Sequence, residues 1–334
     1  MTWRDPYPTP PDPYGQTQPS HPELEETSPI EAFQPIRIQP DVSPAPPPQP
    51  RRPARRSRSW GCGCGCIPLL LIAIAALAAY FLAPLRTNIL VMGIDVGEGR
   101  APAGSYAGRS DTMILLTVIP LKPYVGMLSI PRDLWVPIPG HGENRINTAN
   151  FFAEADRPGS GPEAVKQVIR DNFGVDIQYY ARARFESFQD VIDAMGGVDV
   201  TLPREVAGLP AGPQHLNGQQ ALAFVRSRKE GDDFNRMEDQ QILLIAAAKQ
   251  LLNPLEWPRV PAVFAAVMRN LDTNIPLWQW PRLGLALLRA GPQGIDNHTL
   301  TREMVQPFTT SGGAQVLGPN WDRIRPQVRD IFGP

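Results

Sequence analysis

Cysteine is missing from nearly all of this chain. Its three copies, Cys62, Cys64 and Cys66, form one short Cys-Gly alternation. Everything after residue 66 must hold together without disulfides and has no thiol chemistry. The cysteines are too closely spaced for a two-pair zinc site, and the four histidines, His21, His141, His215 and His298, are isolated, with no HExxH among them. No G-x-S-x-G elbow follows an apolar run, which disfavours a Ser-His-Asp hydrolase. A Walker A loop and a dinucleotide fingerprint are also missing, and no internal repeat is evident. A formal net charge of -1 supplies no strongly basic field, so no nucleic-acid partner is expected. Arginine and carboxylate chemistry remains.

The composition of the 334 residues is uneven. Residues 1–60 are dense in Pro, Ser, Gln and charge, include Pro46-Pro47-Pro48, and lack sustained apolar periodicity. Such a segment buries too little apolar surface to offset its ordering entropy, so it reads as a disordered tail. The cluster Arg51, Arg52, Arg55, Arg56 and Arg58 follows, then the Cys-Gly alternation, then the apolar run Ile67 to Leu85. That run is near the lower end of the roughly 17–25 residues that cross a bilayer as a helix. A cleaved signal peptide sits closer to the N-terminus, so an uncleaved signal anchor over 61–86 is the expectation. The positive-inside rule puts the arginine cluster and tail in the cytoplasm and the remainder outside a single-pass membrane protein. Acylation of the cysteines and a functionally neutral lead into the membrane both remain open.

From Asn88 the pattern becomes that of a mixed α/β domain, expected over 87–253. Short Ile/Val/Leu runs at 88–94, 112–119 and 124–130, bounded by Gly, Pro and charge, read as buried strands. Val165, Val168, Ile169 and Phe173 have helical spacing, with Pro162 in the first turn and Gly174 just past the end. Strands are expected at 177–183 and 198–202, and helices at 185–195, from about Gly218, and from about Asn235 to Leu252. Residues 254–334 read as a mainly helical extension packed on the domain.

Charge collects where these runs end. Asp95 follows the first strand, Arg109-Ser110-Asp111 opens the second and Arg132-Asp133 follows the third. The segment Ala221 to Gln241 sets Arg226, Arg228, Arg236 and Gln240 around Asp232-Asp233, between two apolar runs. Any one of these groups could be a loop charge, a helix cap or part of a solvated ion-paired face. Guanidinium groups, however, bind phosphate through a planar fork of donors, and carboxylates beside them suit a polyanion with a divalent cation. Arg236 and Gln240, four apart, share a helix face beside first-turn amides that favour an anion.

Leu90-Val-Met-Gly-Ile-Asp95, Gly108-Arg-Ser-Asp-Thr-Met-Ile114, Ser129-Ile-Pro-Arg-Asp133, Arg145-Ile-Asn147 and the arginine segment occur in the order seen in the LytR-CpsA-Psr family. The resemblance covers roughly residues 88–253, and Asn320 to Phe332 resembles the tail of several members. It implies bacterial enzymes that transfer a glycopolymer from a polyprenyl pyrophosphate carrier to peptidoglycan, making a phosphodiester. It also implies Mg²⁺-dependent pyrophosphatase activity, with Mn²⁺ an alternative ion, and an apolar lipid-binding tunnel within the α/β fold. Carried over by motif, Asp95 and Asp111 would hold the metal. Arg109, Arg132, Arg226, Arg228, Arg236 and Gln240 would bind the pyrophosphate, and Arg109, Asp133 and Asp233 are the candidate catalytic residues, Asp233 orienting an arginine or the metal. The chain departs from the family pattern at Arg145, where Lys is frequent, at Asn235, where Gly is usual, and at Lys229-Glu230-Gly231. These changes bear on the acceptor side more than on the pyrophosphate side. Competing readings are a membrane-tethered regulator that binds the lipid without turnover, and a plain lipid pyrophosphatase.

Overall fold

The computed structural model describes residues 66–82, 86–97, 105–120, 122–227 and 233–333. The expected tail, the arginine cluster, Cys62, Cys64, Arg228 and Asp232 lie outside the described residues. In order, the elements are α1 (Cys66–Leu82), β1 (Thr87–Asp95), β2 (Arg109–Ile119), β3 (Tyr124–Ser129), β4 (Trp135–Ile138), β5 (Gly142–Arg145), α2 (Thr148–Asp156), α3 (Gly161–Phe173), β6 (Tyr179–Arg184) and α4 (Phe185–Ala194). They continue with β7 (Val198–Leu202), β8 (Gly212–Leu216), α5 (Gly218–Arg226), α6 (Asp233–Leu252), a 3-10 turn at Pro254–Arg259, α7 (Val260–Asn270) and β9 (Leu271–Thr273). The last are α8 (Gln279–Ala290), β10 (Ile295–Thr299), β11 (Val305–Thr309), β12 (Gln315–Pro319) and α9 (Trp321–Phe332).

Alternation along the inner strands sets the architecture, because successive side chains of a strand point to opposite faces. Leu90, Met92 and Ile94 of β1, with Met113 and Leu115 of β2 and Leu128 of β3, join one apolar cluster with α2, α3, β4 and α9. Val118 and Val125, on the opposite face, pack against Ala286 and Ala290 of α8. A third cluster fills the space among α4, α5, α6, α7, β7 and β8. The central sheet is six-stranded and mixed, in the order β10-β3-β2-β1-β6-β9. β1 pairs parallel with β6, β3 parallel with β10, and β2 runs antiparallel between β1 and β3. The mixed central sheet flanked by helices agrees with the fold expected from the sequence.

α3 shows how local sequence sets an element. Val165, Val168, Ile169 and Phe173 form its buried stripe, Pro162 sits in the first turn, and Gly174 ends it with φ 73°. That left-handed cap suits glycine, which has no Cβ to clash.

The region 254–334, read as a mainly helical extension, is mainly helical and is also part of the central sheet. This region supplies β9 and β10, the two edge strands of the central sheet, and the β11–β12 hairpin, besides α7, α8 and α9. The strands are short and polar: Ile295-Asp-Asn-His-Thr299 carries no apolar alternation, because an edge strand gains its place by backbone pairing with Val125–Ser129.

Of the apolar run Ile67 to Leu85, α1 covers Cys66–Leu82, and residues 83–85 lie outside the described residues. Among the described residues no helix is long and apolar enough to cross a membrane.

Candidate active site

β1 and β6 end side by side, and β2 starts beside the end of β1, so three segments deliver their terminal side chains to one end of the sheet. A register shift between Gly93 and Ile94 sets Asp95 opposite Arg109. Gly108 makes that approach feasible, because a Cβ there would lie 2.3 Å from the Asp95 carbonyl oxygen. The loop is held from α2: Asn150 Nδ2 donates to the carbonyls of Tyr106 (3.0 Å) and Gly108 (2.9 Å), and Ser110 N–H donates to the Asn147 carbonyl (3.2 Å).

Asp111, one turn of the pleat further along β2, is buried. Arg132 Nη1 donates to its Oδ2 at 2.9 Å, and Asn147 Nδ2 to its Oδ1 at 3.3 Å. Arg132 Nε also donates to Asp233 Oδ2 at 3.0 Å, so one guanidinium joins the loop after β3, the strand β2 and the start of α6. Arg236, one helical turn later and buried, lies 3.0 Å from Asp233 Oδ1. Burial disfavours the Arg132 charge, but Asp111, Asp233 and Asp133 outweigh it and raise its pKa further. Arg226, at the C-terminal end of α5, lies 4.0 Å from Asp95 and 5.3 Å above the Phe185 ring.

Asp95, Asp111, Phe185, Val225, Arg226 and Arg236 line a cavity of about 210 Å³. Its apolar wall, Phe185 and Val225, is continuous with the core among α4–α7. A larger groove of about 650 Å³ lies along β11 and β12 and is lined by Asp133, Asp233, Phe234, Arg302, Phe308 and Gln315 among others. Asp133 therefore lines the groove and not the small cavity, and Asp233 faces the groove while binding Arg132 and Arg236. Burial, then the hydrogen bond and charge of Asp233, raise the Asp133 carboxyl above the usual carboxylate range, against Arg132 and Arg145. Arg145 Nε is 3.0 Å from Asp133 as an ion pair without hydrogen-bond alignment, and its Nη2 donates to the Gln315 carbonyl at 2.8 Å.

The structure thus brings together Asp95, Asp111, Arg132, Arg226, Asp233 and Arg236. Arg109 is exposed and does not line the cavity, although it faces Asp95 across the strand pair. Gln240 is buried, and its Nε2 has no hydrogen-bond partner among the described residues. Phe185, Asn147 and Asn150 escaped the sequence reading as site residues. Nothing separates Phe185 from a core aromatic in sequence, whereas Asn147 lay inside a quoted motif and Asn150 three residues beyond it.

The donors available to a metal are all oxygens. Asp95 and Asp111 share the small cavity, and the buried Asn147 Oδ1 beside Asp111 has no hydrogen-bond partner. Among the described residues no group of three or more His, Cys, Asp or Glu could hold a metal. This set fits Mg²⁺, which uses one or two carboxylates and completes its shell with water and phosphate oxygens.

Fold and site together define a class: a mixed α/β protein whose strands end at an arginine–carboxylate cavity suited to an oxyanion. The chain matches the LytR_cpsA_psr family over residues 84–325 and belongs to it. It is 35% identical over 196 residues to the polyisoprenyl-teichoic acid–peptidoglycan teichoic acid transferase TagU of Oceanobacillus iheyensis, a match covering 57% of this chain and 59% of that protein. It is 27% identical over 256 residues to the regulatory protein MsrR of Staphylococcus aureus, covering 74% of each. The crystal structure of B. subtilis TagV superposes with a TM-score of 0.61 at 26% identity, covering 75% of this chain and 98% of that one.

Proposed function

We propose that this protein transfers a glycopolymer from a polyprenyl pyrophosphate carrier to peptidoglycan outside the cell membrane, forming a phosphodiester. The observation that carries this reading is the convergence of Arg226 and Arg236 with Asp95 and Asp111 at one small cavity, where Arg132 holds Asp111 from behind. Family membership and the similarity to the teichoic acid transferase TagU support it.

In the reaction an acceptor hydroxyl oxygen attacks the phosphorus that bears the glycan. The bond from that phosphorus to the oxygen of the lipid phosphate breaks, and polyprenyl phosphate leaves. Arg226 and Arg236 hold the pyrophosphate oxygens through their forks of donors, and Gln240 brings an unpartnered amide from the same helix. Arg109 completes the oxyanion contacts, and Arg228, outside the described residues, is assigned to the same anion by its motif. Asp95 and Asp111 hold Mg²⁺, or Mn²⁺ in its place. A bound ion would neutralise charge developing on the phosphate oxygens. Asp111 is positioned for this by Arg132 and Asn147. The acceptor enters along the larger groove, and its proton passes to the Asp133–Asp233 pair that lines it. The polyprenyl chain leaves the cavity past its apolar wall, Phe185 and Val225. The sequence run Ile67 to Leu85 anchors the chain in the membrane.

The test is incubation with a glycan-loaded polyprenyl pyrophosphate, with and without Mg²⁺ and with and without peptidoglycan fragments. The expected result is Mg²⁺-dependent glycan–phosphate linkage to the fragment and release of polyprenyl phosphate. Lipid binding with no phosphate product would replace this reading by a regulator, and Mg²⁺-dependent phosphate release with no linkage would replace it by a pyrophosphatase.

A further inference from the structure

Large apolar side chains left in solvent are concentrated on one end of this molecule. Outside α1, every strongly exposed large hydrophobic among the described residues except Phe151 and Phe308 falls between Leu255 and Leu288. Leu255 is 83% exposed, Leu277 68%, Trp278 56%, Trp257 50% and Leu288 46%. Solvated patches of this kind mark a surface that something apolar covers.

The topology puts them at the end of the sheet opposite the active site. β1 runs from Thr87 to Asp95, and its start pairs with Val118 near the close of β2. α6 leaves the site at Asp233 and runs for 20 residues, about 30 Å, so the turn that follows it lies far from the cavity. There Gly196 meets the Arg259 guanidinium of the turn that carries Leu255 and Trp257, a Cβ on Gly196 lying 3.2 Å from it. α8 crosses this same end. Its first residue, Gln279, donates to the Tyr179 hydroxyl where β6 begins (3.2 Å), and the turn after it reaches Pro123, just before β3. One flank of α8 packs Ala286 and Ala290 on the sheet, while Leu285 and Leu288 face outward beside exposed Arg289.

α1 arrives at this end. The Tyr80 hydroxyl donates to the Trp278 carbonyl, the two rings lie 5.8 Å apart, and Arg282 stands over the Tyr80 ring at 5.9 Å. Tryptophan and tyrosine favour the headgroup level of a bilayer, where an apolar body and a polar tip are both satisfied. An amphipathic helix with an apolar outer flank and arginine beside it lies in the plane of the interface.

We propose that α8, with the Leu277-Trp278 loop before it and the Leu255–Trp257 turn, seats on the outer leaflet of the membrane. The domain then stands on the bilayer with its sheet upright and its active site facing away. The anchor reading of α1 supplies the orientation but not the patch itself. A second copy of the chain is the competing occupant. It is disfavoured because the patch is continuous with α1, which would already be in lipid.

Full-length protein in phosphatidylethanolamine–phosphatidylglycerol vesicles tests this, with the three native cysteines replaced by serine. Single labelling sites Leu277→Cys and Leu288→Cys report on the face, Ile72→Cys on α1 and Phe151→Cys on a distant exposed position. Each carries an environment-sensitive fluorophore, and brominated lipids serve as quencher. Quenching at 277 and 288 but not at 151 is the expected result. Labels at 277 and 288 as unquenched as that at 151, with 72 quenched, would overturn the proposal and leave the anchor standing. A blue shift at 277 and 288 without bromine quenching would assign the face to a second copy and overturn it too. Quenching at 277 and 288 with none at 72 would keep the interfacial face and remove the anchor. All four positions are exposed in the structure, so the labels leave the core untouched.

Discussion

At the scale of single residues the site turns on Arg132, whose guanidinium binds Asp111 and Asp233 with separate nitrogens. Lysine keeps the charge but offers one ammonium in place of a fork. Arg132→Lys should therefore reduce product release about ten- to hundredfold, matching the roughly 1.5–3 kcal/mol of a charge-assisted contact. Asp111→Ala should abolish Mg²⁺-dependent release while much of the lipid affinity persists on the arginines. Product release and thermal midpoint measured on the same preparations check both. Unchanged turnover in folded variants would reduce these pairs to structural ion pairs. Asp133 makes a separate prediction about pH. Its folded-state pKa is raised above that of an unfolded aspartate, so its stabilising contribution is full below the unfolded pKa and is lost as pH rises through the folded pKa. Relative to Asp133→Asn, the wild-type thermal midpoint should fall as pH rises across that window. The opposite slope would mean that Asp133 is held as a carboxylate. Asp95 and Asp111 were legible in sequence because both adjoin strand ends. The placement of Asp133 on a different groove from Asp111 was not, since it depends on how β11 and β12 pack beside the site.

At the scale of elements, α6 presents Arg236 to the cavity while its other flank is tied down. Gln241 does part of this: its Nε2 donates to Ser129 Oγ at 2.8 Å, and its Oε1 accepts from Thr299 Oγ1 at 3.3 Å. Arg204 does the rest by a two-pronged ion pair to Asp239, at 3.1 and 2.7 Å, where Asp239 is 1% exposed. Arg204→Ala removes both of these charge-assisted bonds from that buried carboxylate and should lower stability by roughly 1.5–3 kcal/mol. It should also reduce turnover per folded molecule, because the helix loses the tie that fixes its rotation. Denaturant midpoints with activity at low denaturant would show both, and a stability loss with full turnover would deny Arg204 a positioning role. α6 itself was readable from its start near Asn235 to Pro254. The strands β9 to β12 were not, because short polar edge strands carry no periodic signal.

At the scale of the whole molecule the C-terminal region belongs to the fold. β10 pairs along the whole of Val125–Ser129, and Ile324, Val328, Ile331 and Phe332 of α9 are buried in the main cluster. A chain ending after Leu252 should fail to give a cooperative thermal transition, whereas removing only residues 1–60 should leave the transition unchanged. Calorimetry of the two truncations decides this, and a cooperative transition in the first would make 254–334 a dispensable extension. For orientation, a reporter active only outside the membrane should work when fused after residue 100 and be silent at residue 50. The reverse pattern would remove peptidoglycan as acceptor.

The sequence by itself determined the chemistry available to this protein and much of its scaffold. Apolar runs of strand length, helical spacing with Pro and Gly at the ends, and charge at each junction are local properties that survive without a third dimension. So is the absence of cysteine after residue 66, which fixes a fold held by packing and hydrogen bonds alone. Only the tertiary structure decided which charges meet. Asp95, Asp111, Arg226 and Arg236 are separated by up to 141 positions, and they share one cavity because β1, β2, α5 and α6 end or begin at the same edge of a mixed sheet. Strand order and the pairing of remote edge strands depend on contacts between distant segments, and no local pattern encodes those.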